Sequence, residues 1–441
     1  MSRKMKDSGI EWIGEIPLEW NVVRMKSCIT KRDSGAWGDE AKGDTGDVIC
    51  LRVADFDYSA FKFKDTPIEE LTFRHYPKET INKLSLNKND ILIEKSGGGE
   101  KTPVGRTVIF DKKYQALFAN FMERLRVASF VEPEFMQYVF VTFYKNNYTR
   151  NYIKQTTGIQ NLDLTTMLEC ESVSLPSMNE QRKIVAYLNE KCSQLDVIIA
   201  KTRESIGEYK KLKQAVITQA VTKGVRGERP MKDSGIEWVK KVPEEWGIQR
   251  IKTIFELRDE KNYLPLEEVN LISLYTDKGV VQHADLEATT GNKASNADGY
   301  KKVYQNDIVV NIILCWMGAI GRSAYNGVTS PAYDIYVPSN DIECKFYHYY
   351  FRTKGFSGDC YTRGRGIMAM RWRTYSDQFR DIKVVVPALD EQREIVKYLD
   401  EKCAAIDALI AQKERYVAEL ENYKKSLIYE YVTGKKEVPN V

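Results

Sequence analysis

Three histidines in 441 residues leave little room for imidazole chemistry. His75, His283 and His348 are far apart in the chain and no Cys-x-x-C pair accompanies them, so neither a zinc site of ordinary ligand spacing nor a Ser–His–Asp triad is legible. The eight cysteines, Cys28, Cys50, Cys170, Cys192, Cys315, Cys344, Cys360 and Cys403, follow no disulfide framework. They read as small buried hydrophobes of a reducing compartment. No run of 18 apolar residues exists, which excludes a membrane-spanning helix. The first ten residues are polar and charged, unlike a secretory signal, and a cytoplasmic location is the expectation. Charge of one sign is not in excess either. Lys plus Arg number 66 against 62 Asp plus Glu, a net charge of +4, which excludes a strongly basic arm but leaves room for a local basic face.

What the chain does have is one stretch written twice. Pro176, Glu180, Gln181, Arg182, Ile184, Leu188, Glu190, Lys191, Cys192 and Asp196 return as Pro387, Glu391, Gln392, Arg393, Ile395, Leu399, Glu401, Lys402, Cys403 and Asp407, at a constant offset of 211. Each proline closes a β-like run, Val173–Leu175 or Val384–Val386, and a helix should start just beyond it. Asn179 and Asp390 are the expected N-caps, with Ser177 and Glu180 offering a capping box in the first copy. Apolar residues then recur at steps of three and four through Leu188, Leu195 and Ile199, and through Leu399, Ile406 and Ile410. No proline interrupts either span, and Gly224 and Gly434 stand where helix C-caps belong. Two helices of roughly 40 residues, about 60 Å each, are predicted. One apolar stripe apiece suits an antiparallel intramolecular coiled coil.

A second repeat fixes the architecture. Met5–Trp12 is identical to Met231–Trp238, and Pro17, Glu19 and Trp20 return as Pro243, Glu245 and Trp246. This opening motif reads as a packing clamp. Between motif and helix lies an α+β region of about 135 to 150 residues in each half. Asn89-Asp90-Ile91 aligns with Asn306-Asp307-Ile308, and Gly105-Arg106 with Gly321-Arg322. The expected partition is 1–174, 175–223, 224–386 and 387–441: motif and globular domain, long helix, then both again with a C-terminal tail. The tail echoes the residues before Gly224, so the chain should tolerate circular permutation if its ends lie close.

Two divergent globular regions, each followed by a Pro-x-x-x-Glu-Gln-Arg long helix, resemble the specificity subunit of a type I restriction-modification enzyme. The resemblance spans essentially the whole chain. The second copy departs slightly, with Ala388 in place of the capping Ser177. The resemblance implies two target-recognition domains, each reading half of a bipartite double-stranded DNA sequence, separated by helices that set the spacer. It implies docking of two modification (adenine methyltransferase) subunits, joined by restriction subunits with helicase and nuclease activity. S-adenosylmethionine, ATP and Mg would then sit on those partners, not on this chain. Two similar domains held by rigid helices suit half-sites about one helical turn, or 34 Å, apart.

Candidate DNA contacts follow from residue type. The glycine-rich loop Lys95, Ser96, Gly97, Gly98, Gly99, Glu100, Lys101 permits close backbone approach, though Lys95 and Glu100 occupy the glycine positions of a P-loop. Arg106 and Arg124 suit phosphates or guanines, or equally strand-face ion pairs. Gln160 and Asn161 have the amides that pair with adenine. In the second half, Arg363, Arg365, Arg371, Trp372 and Arg373 form the most basic aromatic-bearing stretch. Asn292, Lys293, Asn311 and Arg322 are weaker candidates, and Trp316 reads as core. Ser330-Pro331-Ala332-Tyr333 approaches an adenine-methyltransferase motif but lacks its second proline, and no glycine-rich cofactor loop follows a strand. A non-catalytic DNA-specificity subunit is therefore the preferred reading, with a stand-alone DNA methyltransferase and a protein-binding coiled-coil scaffold as alternatives.

Overall fold

A computed structural model describes residues 3–156, 158–282, 296–339, 341–366 and 372–439. They form two units, residues 1–204 with 414–441 and residues 205–413. Each unit holds one copy of the same skeleton.

In the first unit the opening motif is a hairpin, Met5–Asp7 against Glu15–Pro17. A six-stranded mixed sheet follows in the order Ile29–Ser34, Met122–Val127, Ile91–Glu94, Thr107–Ile109, Lys62–Phe63, Phe56–Asp57. A four-stranded sheet contains Ala116–Phe118, Asp47–Leu51, Phe73–His75 and Asp39–Glu40. Helix α1 spans Lys78–Leu84, α2 Pro133–Lys145 and α3 Leu164–Cys170. The strand Ser172–Leu175 closes the domain by pairing with Asn21–Arg24, and α4 begins three residues later, running from Met178 to Lys223.

The second unit repeats this with fewer strands among the described residues. Its hairpin is Met231–Asp233 with Lys241–Pro243. Helix α5 is the short Ile251–Ile254. The central sheet runs Phe255–Arg258, Tyr333–Pro338, Ile308–Asn311, Ile320–Arg322, the counterpart of the first four strands above. Helices α6 (Cys344–Phe351), α7 (Lys354–Arg363) and α8 (Ser376–Arg380) follow. Lys383–Val386 pairs with Gly247–Arg250, and α9 runs from Leu389 to Val432.

The two long helices contain 46 and 44 residues, somewhat more than the periodicity alone predicts. In the first unit the opening turns of α4 pack on the closing turns of α9. Leu188, Cys192 and Leu195 share a core with Leu427, Ile428 and Tyr431, and the Tyr187 and Tyr431 ring centroids are 4.7 Å apart. In the second unit the closing turns of α4 pack on the opening turns of α9, with Ile217, Ala220 and Val221 beside Ile395, Val396 and Leu399. The pairing is antiparallel in both units. Ile199, Ile406 and Ile410, the other expected seam residues, are buried. A seam lysine is paired within it: Lys424 Nζ donates to Asp196 Oδ1 at 2.7 Å and to the Ser59 carbonyl at 2.6 Å.

The caps differ from expectation by two residues. Helix α4 starts at Met178, and Ser177 Oγ accepts the Glu180 amide at 3.3 Å, so Ser177, not Asn179, is the cap. Proline places its successor outside the helix, which moves the start forward. Asp390 lies inside the first turn of α9 and pairs with Arg226 instead, at 2.7 Å. Gly224 and Gly434 close the helices at φ +75° and +74°, a conformation that disfavours any side chain.

The duplicated Glu-Gln pair locks domain to helix. Trp20 Nε1 donates to Glu180 Oε2 at 3.1 Å and Trp246 Nε1 to Glu391 Oε2 at 2.9 Å. Arg3 and Arg229 pair with the same two carboxylates. Gln181 Oε1 accepts the Glu132 amide at 2.8 Å, and its Nε2 donates to the Pro176 and Phe130 carbonyls. Gln392 does the same with the Glu343 amide, at 2.8 Å, and the Pro387 carbonyl, also at 2.8 Å. The clamp reading of the tryptophans matches these positions: Trp12, Trp20 and Trp246 are buried, and the half-buried Trp238 donates to Asp359 Oδ2 at 2.7 Å.

Candidate nucleic-acid interface

In the first unit a small sheet gathers several of the sequence candidates. Ile153–Thr156 and Ile159–Leu162 form a β-ribbon, and Ser96–Gly97 of the glycine-rich loop pairs with its second strand. Ser96 opposes Asn161, which opposes Lys154, so one row crosses three strands. Ser96 Oγ donates to Asn161 Oδ1 at 2.6 Å. Asn161 and Lys154 are exposed, and beside them Ile159 is 53% exposed, an uncovered apolar side chain on a polar face. Lys154 Nζ lies 2.7 Å from Asp163 Oδ2; that contact and the Thr166 amide hold the Asp163 carboxyl down at about 2. A two-stranded ribbon of this kind fits the width of a DNA major groove.

The same pleat corrects one candidate. Neighbours on a strand point to opposite faces, so Gln160 is buried where Asn161 is exposed, and its Oε1 accepts the Val104 amide at 3.3 Å. Gln160 anchors the ribbon to the glycine-rich loop. Arg124 is corrected as well. It is 1% exposed, ion-paired with Asp33, and donates to the Ser85 and Lys83 carbonyls at 2.8 and 2.9 Å, so no DNA reaches it. Arg106 lies over the Tyr58 ring at 3.8 Å and forks onto Glu94 at 2.7 and 2.9 Å. Burial pushes the Glu94 carboxyl up despite that pairing. Lys95 Nζ reaches Ser34 Oγ and Glu123 Oε1 at 2.9 and 3.2 Å, at the edge of the same sheet. Gly97 and Gly98 turn the loop with φ +111° and +61°; a Cβ on Gly98 would meet the Val104 nitrogen at 2.9 Å. Lys101 is exposed at the loop's far side.

The second unit builds its counterpart after α7. Arg365 and Arg373 exchange backbone hydrogen bonds at 2.9 and 3.1 Å and form an isolated antiparallel bridge. Trp372 stacks on Tyr361 at 5.2 Å and 25°, and its Nε1 donates to the Tyr361 carbonyl at 3.0 Å. Trp316 abuts Tyr361 at 5.6 Å. Arg363, Arg365 and Arg373 are exposed around this stack, with Arg365 over the Tyr375 ring at 4.9 Å. Asn311 is buried and caps its own turn through the Ile313 amide at 3.0 Å, which takes it out of the interface. Arg322 Nε donates to Asn306 Oδ1 at 2.7 Å, and its backbone amide to His348 Nδ1 at 3.2 Å. Asn292, Lys293 and Arg371 lie outside the described residues. Sequence reading missed Lys154, Ile159 and Tyr361; an exposed apolar or aromatic residue shows no signal before its neighbours are known.

Among the described residues one trio, Asp44, Asp47 and His75, brings metal-ligating atoms together. Its oxygens already have donors: Asp47 takes the Lys42 and Gly43 amides and His75 Nδ1, and Asp44 takes the Gly46 amide. It ties a loop. Ser330 likewise serves a turn, accepting the Ala332 amide at 3.3 Å.

Comparison with known proteins agrees with this geometry. The type I restriction modification DNA specificity domain matches residues 17–208 and again 243–419. The type I restriction enzyme MjaVIII specificity subunit of Methanocaldococcus jannaschii is 23% identical over 441 residues, covering 97% of this chain and 95% of its own. A protein provisionally named the MjaX specificity subunit, from the same organism, is 24% identical over 443 residues, covering 97% and 96%. Among solved structures, a chain from a type I restriction-modification system superposes with a TM-score of 0.68 at 15% identity, covering 96% of this chain and 99% of its own. The HsdS subunit of Thermoanaerobacter tengcongensis gives 0.50 at 14%, covering 96% and 98%. The chain belongs to the type I restriction-modification DNA specificity family, and its function is DNA sequence specificity.

Proposed function

We propose that this chain acts as the non-catalytic reading subunit of a type I restriction-modification complex in the cytoplasm. Two modification subunits dock on its long helices and restriction subunits join them; S-adenosylmethionine, ATP and Mg are held by those partners. The observation that carries this reading is a second apolar stripe on α9, away from the buried seam, echoed in part on α4, where Ser205 holds the middle position. On α9, Leu409, Tyr416 and Tyr423 are spaced by seven and 41%, 46% and 55% exposed. On α4, Ile198 and Leu212, which stand 211 residues before Leu409 and Tyr423, are exposed too. A helix that already buries one stripe and keeps a second heptad row uncovered has a place for another helix. Its partial duplication supports two equivalent partners. No helix among the described residues is long and apolar enough to cross a membrane, so the exposed stripes are not accounted for in that way.

Base reading falls to the ribbon of the first unit, with Ser96, Asn161, Lys154 and Ile159, and to the basic aromatic cluster after α7 in the second, with Arg363, Arg365, Trp372 and Arg373. The test is mapping of methylated adenines in cells that carry the chain with its modification subunit. Asn161→Ala should relax or change one half-site and leave the other intact. A change in both half-sites, or in neither, refutes the assignment of the ribbon. Ile198→Glu with Leu409→Glu should abolish co-purification of modification subunits without unfolding the chain.

A further inference from the structure

Two adjoining cavities in the first unit, about 370 and 420 Å³, share Tyr58, Phe61, Val141 and Lys145 and make one continuous groove. It leads from the glycine-rich loop, past the end of α2, to the closing turns of α9. Its walls are basic beyond what its acids offset. Three cations have their own carboxylates: Arg106 with Glu94, Arg203 with Glu421, Lys424 with Asp196. Four others, Lys101, Lys145, Arg150 and Lys425, have no ion pair among the described residues; Arg150 reaches only the Glu100 carbonyl, at 3.4 Å. In a chain of net charge +4 this concentrates an equivalent excess in one groove.

Two further observations point the same way. Desolvation by the surrounding groove holds the Lys145 ammonium below its usual range although the side chain keeps an exposed surface; Glu421 opposes this, and repulsion from Lys424, Lys425 and Arg106 adds to it. An anion laid in the groove would relieve that repulsion. At the junction of the cavities Phe61 holds φ +57°, unusual for an aromatic residue, and strain of that kind persists where neighbours enforce it. Gln137 fixes its carbonyl, and its ring lies 4.9 Å from the Lys424 ammonium. These two cations are not repeated in the second unit: the positions 211 residues on from Lys145 and Arg150 are Phe356 and Tyr361.

We propose that this groove binds the phosphodiester backbone of the duplex flanking the first half-site, a sequence-independent anchor on one side of the target. The proposal rests on the DNA-reading function above and adds a contact outside the base-reading residues. The anchor should supply affinity and salt dependence but no base choice.

The full chain, assembled with its modification subunits, is tested as Lys101→Gln/Lys145→Gln/Lys425→Gln. Lys78→Gln/Lys88→Gln/Lys113→Gln removes equal charge from exposed positions outside the groove and is the control. Binding to a random-sequence duplex is measured against salt. Each lost phosphate contact removes about 0.9 from the log–log slope, so the groove variant should lose roughly 2–3 and the control less than 1. The groove variant should bind the random duplex at least tenfold more weakly at low salt, while the methylated sequence mapped in cells stays the same. Equal slopes for wild type and groove variant overturn the proposal, as does a changed methylation sequence. If wild type binds ATP or inorganic phosphate in this groove, and the groove variant loses that binding but keeps its duplex affinity, the site takes free phosphate and the backbone anchor is refuted. A wild-type complex that does not bind DNA at all defeats the underlying function instead, which keeps the two failures distinct.

Discussion

Removing Gln392 should unfasten the second recognition domain from its helix. The side chain is fully buried, and its amide spans three segments: the Glu343 amide at the start of α6, the Pro387 carbonyl before α9, and α9 itself. Gln392→Ala leaves one backbone donor and one backbone acceptor without partners in a dry site. Each such group costs about 1–3 kcal/mol, so roughly 2–6 kcal/mol is at stake. For a unit of this size, about 2–4 °C per kcal/mol, a fall of roughly 10 °C in Tm follows. Gln392→Glu should be at least as harmful, because it places an acceptor against the Pro387 carbonyl and buries a charge. Gln181→Ala should act alike on the first unit, where the partners are the Glu132 amide and the Pro176 carbonyl. Hydrogen exchange distinguishes the two: Gln392→Ala should speed exchange at Glu343 and through α6, and Gln181→Ala at Glu132 and through α2. If either variant keeps wild-type melting and exchange but no longer assembles with modification subunits, the repeated Glu-Gln pair is a partner contact and the latch argument fails.

Other outcomes follow from single environments. His348 is pushed down to about 3 by burial and by Arg352, Arg322 and Lys345, with Asp400 opposing weakly. The unfolded chain, titrating near 6.5, therefore takes up this proton first, and stability that is complete above about pH 6.5 is lost as pH falls. Denaturant melts at pH 5 should show the second unit weaker by about 1–2 kcal/mol than at pH 7, and His348→Gln should remove most of that difference. Arg124→Ala should destabilise the first unit by about 3–5 kcal/mol, since it strands Asp33 and two backbone carbonyls; methylation mapping should find the target unchanged. Four residues inserted in both α4 and α9 add about 6 Å to each helix, and the mapped target should keep its half-sites while its spacer changes.

The parts of the fold that were legible were those where a period or a repeat constrained the reading. The long helices were found because the repeated Pro-x-x-x-Glu-Gln-Arg stretch marks their starts and an apolar stripe runs along them without a proline. The cap of α4 slipped by two residues because Asn179 and Ser177 are both good caps and only backbone geometry chooses between them. The interface was less legible. Asn161 and Gln160 are adjacent amides with the same chemistry, and only the register with Ser96–Gly97 turns one out and the other in. Arg124 and Arg106 read as DNA contacts because arginine suits both phosphates and buried carboxylates; burial decides, and burial is a tertiary property. The ribbon itself was invisible because Ile153–Leu162 mixes polar and apolar residues with no clear alternation until its inner face meets Val104.

The two halves of this one chain also show where the fold permits change. The residues that coincide between the halves, at an offset of 211 in the helices and 226 in the opening motif, include the fastenings: Trp20 and Trp246, Glu180 and Glu391, Gln181 and Gln392, Leu188 and Leu399, Cys192 and Cys403, buried except for the half-buried Glu180. The Ile153–Leu162 ribbon and the Arg365–Arg373 bridge share a place in the chain, ahead of α3 and α8, and almost no residues. Backbone pairing does not need particular side chains on its outer face, so Asn161 and Lys154 can stand where the other half has Trp372 and Arg365. On the reading proposed above, backbone fixes the reader's position and side chains fix what is read. New sequence preference then requires no new fold, and the cost of exploring it falls on exposed residues whose substitution typically changes stability by less than about 0.5 kcal/mol.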